Sequence, residues 1–451
     1  MSVGIAQTPG VDRSAFTIPA LAACVLATLY ASEQLTKAPP DNGKVHVAYW
    51  EKWTAFEFDA MKKVVDEFNK SQNKIQVDIL SVSGIENKTL MAVSGGIPPD
   101  VVGLYGPNVT QYADDHAVIP LDEQCKAAGI KREDYIEAYW DIGVIRGHVY
   151  ALPSTPATTA LHYNRGLFKE VGLDPNKPPS TIKELNEDAD KLAKRDKDGH
   201  VIRTGFMPGE PGWWNWAWGP FFGGRLWDGK NKITFNEPKN VEAYEWVQSF
   251  SKKWGPRALQ SFQAGFSGTF SSPQNPFMTS QNAMEIQGVW MYNFINMFNP
   301  KLDWAAAPFP TAYSDLPNPT VIDLDVLCIP TGAKHPKEAF EFLKFVESQK
   351  GLEMLCLGQK KITPLKAVSP GFIEHHPNPF IKLFIQMAYS KGRVSTPKLG
   401  IWAQYNDEIN NAFSEITSME KTPKQALDDV TNRLQPMLDK YLERLHVRGE
   451  Q

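Results

Sequence analysis

The sequence is poor in the residues that staple small secreted domains or hold zinc. Its 451 residues include 4 cysteines, Cys24, Cys125, Cys328 and Cys356, and no two form a C-x-x-C pair. That excludes a disulfide framework, a zinc ribbon and a thioredoxin-type redox motif, and predicts buried thiols. Positive charge is not in surplus: Lys+Arg 47 against Asp+Glu 51 gives −4, so nucleic acid is not an expected partner. Hydrophobic residues at 42% and charged residues at 22% sit near the globular average, which excludes a mostly disordered chain and a polytopic membrane protein. G-x-S-x-G, H-E-x-x-H, the P-loop and G-x-G-x-x-G are all missing; Gly265-Phe266-Ser267-Gly268-Thr269 lacks the closing glycine. Glu374-His375-His376 does not place two imidazoles on one helix face and reads as a solvated loop before Pro377. Asp196-Lys197-Asp198-Gly199 has Lys194 at the first position of a calcium loop and Gly205 at the twelfth, so it reads as the D-G turn of a hairpin. No metal or cofactor is implied.

What is abundant is aromatic: 13 Trp, 14 Tyr and 24 Phe, with Trp213, Trp214, Trp216, Trp218 and Trp227 close together. At about 150 residues per domain the length predicts two or three domains. Residues 15–31 carry no charge, at the lower limit of about 17 residues for a bilayer span. Arg13 before them and a Pro/Gly linker after them read as an export signal or N-terminal anchor. Leu21-Ala22-Ala23-Cys24 resembles a lipobox, which makes Cys24 a candidate lipidation site, although apolar residues continue beyond it. The folded part then begins near residue 44, outside the cytoplasmic membrane.

From there, residues 44–49 alternate as a strand, and Phe58, Met61, Val64, Val65 and Phe68 recur at helical spacing. Ile75, Val77 and Ile79 alternate again, and residues 99–102 predict a third strand. This is the strand–helix–strand order of a parallel sheet. Thr181 and Thr422 each open a capping box. The last helix carries the stripe Leu427, Val430, Leu434, Met437, Tyr441 and Leu445, with an interruption expected at Pro436. Some 400 residues of this pattern exceed one core, which predicts two α/β lobes.

The candidate site is aromatic. Trp50 and Trp53 flank Glu51 and Lys52 where the first strand ends, and Tyr105-Gly106-Pro107-Asn108 follows the third. Ligands of open parallel sheets bind beyond such carboxyl ends. Residues 209–218 place Glu210, Trp213, Trp214 and Trp216 in a loop, and Trp290 and Trp402 add two indoles. Sugar rings have an apolar C–H face, which flat aromatics meet, and a hydroxyl rim, which carboxylates and amides bridge. Asp323 and Asp325 lie on one side of a strand and suit hydroxyls or a cationic ligand.

With these pieces assembled, the chain resembles the bacterial ABC-transporter solute-binding proteins of family 1, the maltose- and multiple-sugar-binding type. Gly95-Gly96-Ile97-Pro98-Pro99-Asp100-Val101, then Tyr112-Ala113 and Pro120-Leu121-Asp122, is similar to a family run. So are Gly147-His148-Val149-Tyr150-Ala151-Leu152-Pro153 with Tyr163-Asn164, Leu167-Phe168 and Gly172-Leu173, and Phe277-Met278 with Ala283-Met284, Ile286, Gly288 and Trp290. Cys328-Ile329-Pro330 to Ala339-Phe340 matches a late strand–helix. The resemblance implies a two-lobed, type II, maltose-binding-protein-like α/β fold with a ligand cleft between the lobes. Lobe one would be 44–153 with 311–361, and lobe two 154–304 with 366–451, after a signal or anchor segment over 1–43. Crossovers would fall near 153–158, 305–310 and 362–366, each containing proline.

It also implies that Trp290 and Trp402 stack on sugar, that Glu210-Pro211 with Trp213 and Trp214 lines the site, and that Glu51 and Lys52 are a polar pair in lobe one. Many relatives carry Gly-Gly where Asp323-Leu324 stands, so side chains replace backbone there. The family's lobe-one aromatic aligns with Leu104, beside Tyr105. The implied function is a monomeric, non-enzymatic binding subunit of an ABC importer. It would deliver a sugar or oligosaccharide to the membrane permease from the periplasm or cell surface, tethered by its N-terminal segment. A polyamine, a glycerophosphodiester or a peptide on the same fold, and a secreted glycoside hydrolase or lectin, are the rival readings; few of the 47 basic residues fall in the candidate loops, which speaks against a phosphorylated ligand.

Overall fold

A computed structural model describes residues 43–449 apart from 267. The apolar segment 15–31 and Cys24 lie outside the described residues. Among those described, no helix is long and apolar enough to cross a membrane.

The strands are β1 (Val45–Glu51), β2 (Ile75–Ser81), β3 (Val101–Tyr105), β4 (Val144–Ile145), β5 (His148–Val149), β6 (Leu152–Asn164), β7 (Lys194–Arg195), β8 (Val201–Phe206), β9 (Asn282–Gly288), β10 (Trp304–Ala307), β11 (Thr320–Cys328) and β12 (Arg393–Val394). Ten of them form one curled sheet, ordered β2-β1-β3-β11-β6-β9-β8-β7, with β10 on β6 and β12 on β11. The expected opening unit is present. β1 pairs parallel with β2 and β3, and helix α1 (Ala55–Ser71) buries Met61, Val64, Val65 and Phe68 against them.

Of the three large hydrophobic clusters on this sheet, two draw on both β6 and β11 from opposite ends. One gathers Val47, Tyr49, Leu152, Leu327, Phe342 and Leu355; the other gathers Leu161, Trp218, Tyr244, Val321, Tyr405 and Leu434. β6 and β11 each contribute to both cores, Leu152 and Leu327 to the first and Leu161 and Val321 to the second. Residues 153–158, expected as a crossover, are the first half of the 13-residue β6. Proline cannot donate to a ladder, and here β6 carries Pro153 and Pro156. The β6–β11 register shifts between Asp325 and Val326, which pair with Thr155 and Pro153 and leave Ser154 as the extra residue of a bulge in β6. Residues 304–307 are likewise strand β10. Residues 362–366 are irregular, with Ile136 N donating to Pro364 O at 2.8 Å.

Other helices bear on the site: α2 (Ile85–Ser94), α3 (Val109–Asp114), α4 (Ile182–Leu192), α5 (Pro256–Ala264), α6 (Met291–Phe298), α7 (Trp402–Thr417) and α8 (Pro423–Arg448). Both capping boxes are formed, by Thr181 with Glu184 and by Thr422 with Gln425. α8 continues through Pro436 as one helix of 26 residues; Leu427, Val430, Leu434, Tyr441 and Leu445 are buried as expected, but Leu438 takes the buried place expected of Met437, which is half-buried. Burial of that stripe outweighs the one hydrogen bond that proline forfeits. Tyr441 in α8 donates to Asp114 at the end of α3 at 2.7 Å, next to Gly400, two residues before Trp402.

One local expectation is corrected. His376 is not solvated: it is buried, with Nδ1 accepting from Asn378 N at 3.1 Å and Nε2 3.3 Å from Lys361 O. The surrounding Phe372 and Lys361 backbone cover it, which adjacency in sequence did not reveal. The D-G turn is a hairpin between β7 and β8, with Asp196 accepting from the Asp198 and His200 amides. Cys125, Cys328 and Cys356 are free and buried.

Candidate functional site

The site is built where β1 ends. Tyr49 and Glu51 share one face of the strand, and the Tyr49 hydroxyl donates to the Glu51 carboxylate. Glu51 is fully buried and also accepts from Lys52 N at 2.7 Å. It can lie there because residue 103 is glycine. A Cβ at Gly103 would stand 2.3 Å from the Glu51 carboxylate. The Lys52 ammonium then sits 3.5 Å from Glu51 and 3.2 Å from Asp325. Asp325 faces Lys361 at 3.5 Å and accepts from the Thr155 hydroxyl at 2.8 Å, and Lys361 reaches Glu57 at 3.0 Å.

Three carboxylates thus hold two buried ammonium groups in an alternating chain. Burial works against both lysines, but the adjacent carboxylates raise their pKa values overall. Burial likewise opposes ionisation of Asp325, and Lys52 and Lys361 outweigh it, so its pKa is lowered. The Lys52 ammonium lies 4.4 Å from the Trp53 ring centre and 4.8 Å from that of Tyr105; Lys361 lies 5.5 Å from Trp53 and 5.7 Å from Trp290. Cations over aromatic faces at these distances rigidify the rings.

Beside this cluster lies a cavity of about 430 Å³, lined by Tyr105, Asn108, Glu86 and Gln111 from one lobe and Trp213, Trp214, Trp216, Trp402, Asn406 and Asp407 from the other, with Asp323 at its base. That volume lies within the range of small-molecule sites. Tyr105 rather than Leu104 faces it: Tyr105 is exposed at the end of β3, while Leu104 is in the core. Asp323 is held close to Gly106, where a Cβ would come 2.8 Å from its carboxylate, and accepts from Leu324 N at 2.7 Å. Trp402 opens α7, with Trp216 edge-on at 5.8 Å between ring centres. Trp213 and Trp214 stand edge to face at 5.6 Å, and Trp290 lies 6.3 and 6.1 Å from them. Phe56 of α1 meets Phe294 of α6 at 5.6 Å, a contact between the lobes.

Seven of the thirteen candidate residues therefore line one cavity: Tyr105, Asn108, Trp213, Trp214, Trp216, Asp323 and Trp402. Glu51, Trp53, Asp325 and Trp290 form the charged and aromatic layer next to it. Two fall elsewhere. Trp50 packs on the opposite face of the sheet with Val82 and Leu90, because alternation along β1 points it away from Glu51. Glu210 borders a neighbouring space beyond Trp213. Lys361, Glu57, Glu86, Gln111, Asn406 and Asp407 were not singled out from sequence. Only Lys361 had a signal, standing one residue before the expected crossover at 362–366; the others lie on helices that the fold alone brings to the cleft.

Asp323 supplies a pH test. Burial, with a smaller push from Asp325, raises its pKa to about 7 against the downward pull of Leu324 N and Lys52. A carboxyl raised on folding binds its proton more tightly in the folded chain. Its contribution is therefore most favourable below about pH 4 and is lost as pH rises towards 7, by up to about 1.4 kcal/mol per unit. Asp323→Asn should gain stability on the wild type between pH 5 and pH 7 in urea unfolding. A difference that does not change with pH would contradict this.

Comparison with known proteins places the chain in context. The family model for bacterial extracellular solute-binding proteins matches residues 57–353. The sn-glycerol-3-phosphate-binding periplasmic protein UgpB of Pectobacterium atrosepticum is 22% identical over 426 residues, covering 86% of this chain and 91% of that protein. Among solved structures, CpMnBP1 with mannobiose bound has a TM-score of 0.78 at 29% identity, covering 86% of this chain and 99% of that one. With mannotriose bound it has a TM-score of 0.76 at 30% identity, with the same coverage.

Proposed function

The chain belongs to the bacterial extracellular solute-binding protein family, and from that premise we propose that it captures a sugar or oligosaccharide in the cleft and hands it to the permease of an ABC importer. The observation that carries the sugar reading is the cavity lining: four indoles, one phenol, amides and carboxylates, with no lysine or arginine among the described residues that line it. A glycerophosphate would need cationic donors there. The two lysines nearby are already held by Glu51, Asp325 and Glu57, which outnumber them. A neutral polyol asks for what is present, aromatic faces and hydrogen-bond acceptors. The mannobiose and mannotriose bound by the structurally similar CpMnBP1 support this class over that of UgpB.

Tyr105 from one lobe and Trp213, Trp214 and Trp402 from the other would close on the sugar, with Asp323, Asn108, Glu86 and Asp407 on its hydroxyls. Contacts from both sides exist together only in the closed form, so ligand shifts the population towards it. The protein would act as a monomer without catalysis, its lobes comprising 44–153 with 311–361 and 154–304 with 366–451. Residues 1–43 would tether it outside the cytoplasmic membrane, through a lipid on Cys24 or an uncleaved anchor, which intact mass of membrane-extracted protein distinguishes. The test of function is a thermal-shift screen against mono-, di- and oligosaccharides, glycerol 3-phosphate and spermidine. A ligand binding only the folded state raises the melting temperature by mass action. A rise confined to saccharides is expected. A rise with glycerol 3-phosphate alone would overturn the sugar reading; one with spermidine alone would recast Glu86, Asp323 and Asp407 as a cation cage.

A further inference from the structure

Trp213 is 44% exposed, and it stands between two cavities. Its indole lines the inter-lobe cavity and also a second, of about 490 Å³, on the far side of the 209–213 loop. The second is walled by Glu210, Gln260, Gln263, Phe266 and Phe270. Their chemistry repeats that of the first cavity: flat aromatic surface from Trp213, Phe266 and Phe270, and a carboxylate with two amides. Gln263 of α5 donates to Gly209 O at 3.2 Å and so fixes the loop to the helix, leaving its carbonyl oxygen free. The Gln260 amide and the Glu210 carboxylate have no partner among the described residues.

Behind Glu210 lies Glu285 of β9, fully buried, with neither carboxylate oxygen hydrogen-bonded. Burial first, then the charge of Glu210, pushes the Glu285 carboxyl well above its ordinary range. Burial alone raises Glu210 to about 7. The Gln260 and Gln263 amides and the Glu210 carboxyl together offer both donors and acceptors to hydroxyl groups.

We propose that this second cavity is an extension subsite, so that the ligand is an oligosaccharide of three or more units running past Trp213, with rings on either side of the indole. The proposal rests on the sugar reading and adds the length of the ligand and the lobe over which it extends. Glu210, placed by sequence in the cleft itself, is reassigned here to the extension.

The experiment is isothermal titration of the full chain with manno- and malto-oligosaccharides of two, three and four units, for the wild type and the Glu210→Gln/Gln260→Ala double variant. The wild type should bind the three- and four-unit ligands of one series about tenfold more tightly than its disaccharide. The double variant should lose about tenfold more affinity for the longer ligands than for the disaccharide. Equal affinities at all lengths, or one common factor of loss, would overturn the extension while leaving sugar binding in place. Absence of binding to every saccharide would instead remove the sugar reading, and the extension with it.

Discussion

Replacing Lys52 by Met should lower the unfolding free energy by about 3–5 kcal/mol, the loss expected when one partner of a buried ion pair is removed. The magnitude follows from a count of charges. Glu51, Asp325 and Glu57 face Lys52 and Lys361. Without Lys52, three carboxylates face a single ammonium, and the fully buried Glu51 keeps only the Tyr49 hydroxyl and backbone amides. Asp325→Asn is the informative contrast. It leaves two carboxylates against two ammonium groups, Lys52 with Glu51 and Lys361 with Glu57. Its loss should be smaller, about 1.5–3 kcal/mol, the range for a hydrogen bond to a charged group. Denaturant unfolding of both variants checks the order. If Asp325→Asn is the more damaging, the cluster is not held by charge balance, and the geometry of the β6 bulge opposite Asp325 is the better explanation.

That cluster also shows what the sequence could and could not disclose. The opening strands, α1 and the two capped helices were legible because their signals are local: alternation, a 3.6-residue stripe, and a Thr followed three residues later by Glu or Gln. The first half of the tryptophan stretch was legible as a loop because glycine and proline at 209, 211 and 212 deny it a helix, whereas Trp216 lies in a 3-10 turn (Asn215–Ala217) and Trp218 opens a short helix (Trp218–Phe221). The partners of Lys52 were not, because Asp325 and Lys361 reach it from distant segments through the β6–β11 crossing. Trp50 misled for a simpler reason. It flanks the Glu51-Lys52 pair in sequence just as Trp53 does, yet period two in the strand sends it to the opposite face, while the chain leaves the strand before Trp53 and turns back towards the cleft. The placement of Glu210 depended on the path of its loop around Trp213, which no local pattern encodes.

Trp213→Ala should weaken saccharide binding about 30-fold, roughly 2 kcal/mol, the loss typical of an aromatic anchor, while barely moving the melting temperature of the unliganded protein. The separation is possible because Trp213 is the exposed indole of the set, touching Trp214, Phe270 and Trp290 rather than filling a core. Trp402 cannot serve. It is buried against Trp216 and Tyr405, so Trp402→Ala should cost about 3–5 kcal/mol of stability as a large-to-small core change and confound any loss of affinity. Trp213→Phe should recover part of the binding, since a smaller flat face still meets the apolar side of a sugar ring. If Trp213→Ala binds saccharides as the wild type does, the indole is a surface feature, and stacking must be supplied by Trp214 and Tyr105 alone. If it loses affinity and stability together, the 209–213 loop depends on the ring for its shape, and the effect on sugar is indirect. The expected outcome is loss of affinity at constant stability, which only a residue facing ligand on exposed surface can produce.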